Sequence, residues 1–275
     1  MKIIDTHQHF WKYNAANFGW VNDEMKILRT DYLPLDLYPI LQKNDVEGCV
    51  AVQADQSEKE TEFLLQMANE NPFVVGVVGW VDLCGELINE RLKYFKQFSK
   101  LKGFRHILQG EEPSFMLQQN FLHGIGLLHQ YSYTYDLLIY PQHLSAALEL
   151  VKQFPFQSFV IDHIAKPNIG KNEMDKWEKG IMDLSSCSNV FCKISGLVTE
   201  ANWAGWTTAD LTPYIDKVVQ YFGVDRIMFG SDWPVCLLAS SYDNWLKVVK
   251  EYFASYSIED QEKIFSKNAI KFYHL

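Results

Sequence analysis

Cysteine is scarce: five residues among 275, Cys49, Cys84, Cys187, Cys192 and Cys236, an odd number with no Cys-x-x-Cys pair. That excludes a disulfide framework and a thiolate zinc knot, and leaves the thiols as small, reduced core residues. Cys236 follows a polar strand end, but no histidine or basic residue adjoins it, so it too reads as packing. Positive charge is also short, with 25 Lys and Arg against 34 Asp and Glu, a formal charge of −9. A nucleic-acid or anionic-membrane surface is thereby disfavoured, while a local cationic pocket remains open. No apolar run is long enough to span a bilayer, and the chain begins without a basic segment followed by a long apolar core; a soluble cytoplasmic protein is the expectation. There is no low-complexity linker, heptad repeat or long charge run to mark a second domain. The first strand-to-helix turn has no Gly-x-Gly-x-x-Gly, which argues against a doubly wound nucleotide-binding sheet.

What the sequence does have is alternation. Apolar β-type runs at 1–11, 48–53, 73–81, 102–108, 134–140, 158–164, 190–195 and 226–229 are separated by helical patterns at 33–44, 57–71, 87–98, 115–131, 144–154, 174–184, 211–222 and 245–252, with a further helical tail at 258–273. The 73–81 run carries Val74, Val75, Val77 and Val78, the signature of a strand covered on both faces. Ser57, ahead of Glu58 and Glu60, reads as a helix N-cap. About eight strand-and-helix repeats in one chain predict an α/β fold, a single-domain (β/α)8 TIM barrel over residues 1–275.

In such a barrel the active site gathers at the C-terminal ends of the strands. Strand one ends in His7 and His9, whose i, i+2 spacing puts both imidazoles on one side, and Asp5 shares that parity. Strand four ends in Arg105-His106, strand six in Asp162-His163 with Lys166 beyond, strand seven in Lys193 and Ser195, and strand eight in Ser231-Asp232. Buried charge is costly unless paired or used, so charge at the end of apolar strands points to a site. Simpler readings stand beside this one. A lone histidine is usually a hydrogen-bonded core residue, Asp232 reads also as a turn cap, and Arg105 and Lys193 read equally as snorkelling groups. Trp11, Trp80 and Trp233 read as packing around the mouth; His123, His129, His143 and His274 read as structural or solvated.

The motifs Ile4-Asp5-Thr6-His7-Gln8-His9-Phe10-Trp11, Gly103-Phe104-Arg105-His106, Ile161-Asp162-His163-Ile164-Ala165-Lys166-Pro167, Lys193-Ile194-Ser195-Gly196 and Phe229-Gly230-Ser231-Asp232-Trp233-Pro234-Val235 resemble the amidohydrolase superfamily, in its amidohydrolase-2 branch of sugar lactonases. The resemblance implies His7, His9 and Asp232 as metal ligands and Asp232, His163 and His106 as catalytic groups. It further implies Trp11, Arg105, Lys166, Lys193 and Trp233 as substrate-binding residues. The fifth strand run ends Ile139-Tyr140-Pro141-Gln142, without a histidine, and the fourth offers Arg105-His106 where a bridging Lys or Glu is expected. This departure argues against a two-metal centre and leaves two cases, one divalent ion, zinc or manganese, or a metal-independent site. The implied reaction is opening of a lactone ring, most simply a sugar (aldono) lactone, by Asp-assisted attack of water. The alternatives are a metal-dependent decarboxylase of a small aromatic or unsaturated acid and a catalytically inactive barrel. The implied partner is a small-molecule substrate, with no nucleic acid or membrane; assembly into a homo-oligomer stays open.

Overall fold

A computed structural model describes residues 1–171 and 174–275. Its sheet has eight parallel strands in sequential order: β1 (Ile4–Gln8), β2 (Gly48–Val52), β3 (Val74–Gly79), β4 (Leu101–His106), β5 (Thr134–Leu137), β6 (Phe159–Ile161), β7 (Val190–Ile194) and β8 (Ile227–Phe229). The helices packed around them are α1 (Pro34–Lys43), α2 (Glu58–Glu70), α3 (Ile88–Phe95), α4 (Gln119–Leu128), α5 (Leu144–Gln153), α6 (Asp175–Ser185), α7 (Leu197–Glu200), α8 (Thr208–Phe222), α9 (Tyr242–Tyr252), α10 (Ile258–Glu262) and α11 (Asn268–Tyr273). The architecture is the expected (β/α)8 barrel. Strands β1 and β8 are stitched by main-chain bonds from Asp232 to His7 O and from His9 to Trp233 O, both 2.7 Å, and by the Thr6 hydroxyl on Phe229 O at 2.6 Å.

Two apolar compartments follow from strand alternation. One face of the strands packs against the helices in a continuous core. The other lines the barrel, where Ile4, Val50, Val52, Val78, Val160, Phe191 and Met228 meet Ala269, Phe272 and Tyr273 of α11. The last helix thus stoppers the foot of the barrel, and Tyr273 is fully buried there. Ser57 caps α2 as expected, its hydroxyl accepting from Glu60 N at 3.2 Å.

Several boundaries differ from the sequence reading. The 134–140 run pairs only as far as Leu137 and the 158–164 run only as far as Ile161, because the chain beyond turns over the mouth. The 115–131 pattern is broken at Gln118, whose extended backbone separates a short 3-10 turn from α4. Asp5 does not share the face of His7. The β1–β2 register slips one residue between Asp5 and Gln8, a β-bulge that reverses side-chain parity. Asp5 consequently leaves the interior and accepts from Ser231 N at 2.8 Å on the β8 side, while His7 enters it.

Candidate active site at the barrel mouth

The residue that centres the site is Asp232, three residues past the end of β8 in left-handed backbone (φ 59°). Three imidazoles surround its Oδ1: His9 Nε2 at 3.4 Å, His163 Nε2 at 3.8 Å and His7 Nε2 at 3.9 Å. Burial alone would raise the Asp232 carboxyl. Its three imidazole neighbours, His163 first, overcome this and hold it well below the usual carboxylate range.

Each histidine is oriented from behind. His9 Nδ1 lies 2.7 Å from Val52 O, and a carbonyl only accepts, so Nδ1 carries the proton and the neutral ring turns a bare Nε2 lone pair toward Asp232. Burial lowers the pKa of His9. His163 Nδ1 sits 2.9 Å from Ser195 Oγ, and burial pushes this imidazole down to about 4. The side chain of His163 arrives through an unusual segment. His163, Ile164, Ala165 and Lys166 are four consecutive non-glycine residues with φ between 48° and 61°. Left-handed backbone costs roughly 1–2 kcal/mol per L-residue, which marks this turn as a place where the fold has spent stability on positioning. It carries both His163 and Lys166 over the mouth. Gly196 (φ 67°) makes room, since a Cβ there would stand 2.5 Å from His163 Nδ1.

His7 lies one layer deeper. Its Nε2 is 3.2 Å from Arg105 Nη1, and its Nδ1 is 3.2 Å from Asp162 Oδ1 and 3.1 Å from Lys193 Nζ. A guanidinium can only donate, so Nε2 accepts and the ring proton faces Asp162. Burial keeps His7 neutral despite that carboxylate. Below it a cluster of charges lies inside the barrel: Lys193 Nζ bonds Asp136 Oδ2 at 2.6 Å and Asp162 Oδ1 at 2.9 Å, Arg105 Nη1 bonds Asp162 Oδ2 at 3.0 Å, and the Tyr273 hydroxyl donates to Asp136 Oδ2 at 2.8 Å. Burial would raise Asp162, yet Lys193, His7 and Arg105 hold it well below its ordinary value; Asp136, with Lys193 opposing its burial, is pushed up to about 6.

A cavity of about 380 Å³ opens above this floor, and His9, His163, Asp232, Arg105 and Lys166 line it. These five residues, with His7 beneath, are the sequence-predicted positions that the fold brings together. Lys193 is fully buried under His7, beyond the reach of the cavity. His106 stands outside the cluster: its Nε2 contacts Glu111 at 3.0 Å, its Nδ1 accepts from Trp80 Nε1 at 3.3 Å, and its ring stacks on Phe115. Trp11 and Trp233 are both buried, the first against Phe18 with its indole N–H on Thr30 O, the second against Phe10 and Tyr32. The aromatic side of the cavity is supplied instead by Trp20, beside Met25, Val235 and Leu238, and a second carboxylate by Glu200. Sequence reasoning missed these because they sit on irregular segments or on the four-residue α7. Asp136 carried a usable signal, a carboxylate inside the otherwise apolar β5.

His7, His9 and Asp232 offer ligand atoms within 4.8 Å of one another. Two lone-pair acceptors, His9 Nε2 and Asp232 Oδ1, face each other at 3.4 Å, an arrangement that a cation or a shared proton between them would relieve. The residues therefore fit one divalent ion. A second set, His7, Asp162 and His163, also lies close, but Asp162 is already occupied by Lys193 and Arg105, and a second ion there would face two fixed cations.

The family model for the amidohydrolases matches residues 4–275. The chain belongs to the amidohydrolase family. Among curated amidohydrolase relatives, the L-fucono-1,5-lactonase of Burkholderia multivorans is 37% identical over 263 residues, covering 92% of this chain and 88% of its own. A second L-fucono-1,5-lactonase, from Burkholderia ambifaria, is 32% identical, covering 99% and 95%. A solved amidohydrolase from Burkholderia multivorans with bound zinc superposes with TM-score 0.96 at 36% identity over the whole of both chains. The dihydroxybenzoic acid decarboxylase from Polaromonas sp. JS666, solved with manganese, shares 15% identity at TM-score 0.68 over 100% of this chain and 97% of its own, a likeness of fold alone.

Proposed function

We propose that this amidohydrolase hydrolyses the lactone of a sugar acid, with Asp232 as the general base. The observation that carries the reading is the Asp232 carboxylate held among imidazole nitrogens at the floor of an open, mixed polar and apolar cavity. The lactonase relatives support it, and the decarboxylase alternative has only the shared fold behind it. Retention of four charged side chains at one mouth, Arg105, Lys166, Glu200 and Asp232, argues against an inactive barrel.

The chemistry follows from the acceptors. A water at this floor donates one proton to Asp232 and is steered by the bare Nε2 of His9, which aims an oxygen lone pair at the ring carbonyl. Attack adds the water oxygen to the carbonyl carbon as Asp232 takes the proton. Collapse of the tetrahedral adduct breaks the ring C–O bond, and Asp232 returns the proton to the departing alkoxide. Lys166 at the wall, 3.6 Å from Glu200, keeps protons to donate to the developing oxyanion. His7, His9 and Asp232 would hold one zinc or manganese ion, which when bound polarises the carbonyl and acidifies water.

Replacing Asp232 by Asn is expected to lower kcat by about 10²–10⁴, the usual share of a general base, while the melting temperature stays close to that of the parent. Near-normal turnover of aldonolactones by this variant, read with a pH indicator, would remove Asp232 from the role. Elemental analysis of the purified protein should find no more than one equivalent of divalent metal; two equivalents would contradict the occupancy set by Lys193 and Arg105.

A further inference from the structure

We infer that the Lys166–Glu200 pair sets the charge class of the substrate, admitting an uncharged polyhydroxylated lactone and turning away one that carries a carboxylate. The inference rests on the lactone-hydrolase reading and concerns the wall of the same cavity. Among the described residues, four charged side chains line it, Arg105, Lys166, Glu200 and Asp232, two of each sign. Each cation already has a carboxylate partner, so an anionic substituent meets no unpaired positive charge. Arg105 is spent below the floor, on Asp162 and His7 and on the Gln53 carbonyl. Lys166 Nζ stands 3.6 Å from Glu200 Oε1 and 5.7 Å from the centre of the Tyr140 ring. A carboxylate entering here would have to displace Glu200 from Lys166 while lying near Asp232, both like-charged. That is the repulsive element from which discrimination is built.

Neutral hydroxyls meet the opposite situation. At 3.6 Å the pair is longer than a good hydrogen bond, so Lys166 keeps protons to donate and Glu200 keeps lone pairs to accept. A substrate hydroxyl, which both donates and accepts, satisfies the two at once. The pair is also held in place. Lys166 ends the left-handed turn that delivers His163, and Glu200 ends α7, which starts one residue after the close-approach glycine Gly196. Both side chains are about one-fifth exposed, 17% and 21%, enough to touch a ligand but not to swing into bulk water. Burial pushes the Glu200 carboxyl up and Lys166 pulls it back, so the charge of the acid depends on its partner.

The test is a matched pair of substrates: an aldono-1,4-lactone and the aldaro-1,4-lactone that differs from it only by a carboxylate in place of the terminal CH2OH. The parent enzyme is expected to favour the neutral lactone by about a hundredfold or more in kcat/KM, and Glu200→Gln to narrow that ratio by about tenfold, the equivalent of one lost like-charge contact. Adding Lys166→Met to Glu200→Gln should restore the preference, because the freed ammonium is what receives the carboxylate. Equal rates on both lactones by the parent enzyme, a comparison that needs no variant, would overturn the inference while leaving the hydrolase reading intact. An unchanged ratio in a folded Glu200→Gln protein would overturn it too. Failure to hydrolyse any neutral lactone would count against the hydrolase reading itself, and this inference falls with it.

Discussion

Glu60 shows how one side chain can tie stability to pH. It lies on α2 facing a pocket beside Trp11 and Phe18, is 8% exposed, and accepts from Ala54 N at 2.6 Å. Burial, with Asp55 adding to it, lifts its carboxyl to about 8 against the bonds from Ala54 and Asp55. An unfolded chain releases that proton near the ordinary glutamate value of about 4.3. Between these two values the folded state binds more protons, so its stability falls as pH rises through the window from roughly 4.3 to 8. Glu60→Gln keeps the oxygen that Ala54 donates to and cannot ionise. Its melting temperature should therefore gain on the parent as pH is raised from 5 to 9; parallel curves would show that Glu60 is already ionised in the folded protein.

At the scale of elements, the site is made by departures from regular structure. The bulge in β1 sends His7 inward, the left-handed run after β6 delivers His163 and Lys166, and the left-handed Asp232 follows β8. Gly196→Ala tests the second device, since the new methyl would meet both a positive φ and the His163 ring at 2.5 Å. A cost of roughly 1–3 kcal/mol of stability is expected from such backbone strain, with a larger proportional loss in kcat than in KM because the displaced ring faces Asp232. Undiminished kcat would separate His163 from the reaction. These departures also explain what the sequence could show. Parallel strands buried on both faces leave a plain apolar signature, so the barrel, the strand order and the strand-end placement of His9, Arg105, His163 and Asp232 were legible. Asp5 was misplaced because parity holds only while the register does. Trp20, Met25 and Glu200 lie on irregular or very short segments that have no periodicity to read, and the irregular ends of β5 and β6 are set by tertiary packing over the mouth.

Across the whole molecule, the mouth depends on the foot. Tyr273 of α11 supports Asp136, Asp136 supports Lys193, and Lys193 lies against His7, a chain of contacts spanning the barrel interior. Tyr273→Phe keeps the ring under Lys193 and removes one donor to a buried carboxylate, an expected loss of about 1–3 kcal/mol in urea unfolding. Lys193→Met should cost more, roughly 3–5 kcal/mol, since it strands Asp136 without its cation and leaves Asp162 with Arg105 alone. If the two variants unfold at the same urea concentration as the parent, the interior charges are not coupled to the fold.

The stopper has a consequence for the order in which the barrel can be made. Asp136 and Lys193 leave the ribosome well before Tyr273, so the lumen holding those charges reaches its full hydrogen bonding only when the hydroxyl arrives. Early βα repeats can therefore collapse as the chain emerges, with β1 holding an open edge until β8 is made and α11 sealing the foot last.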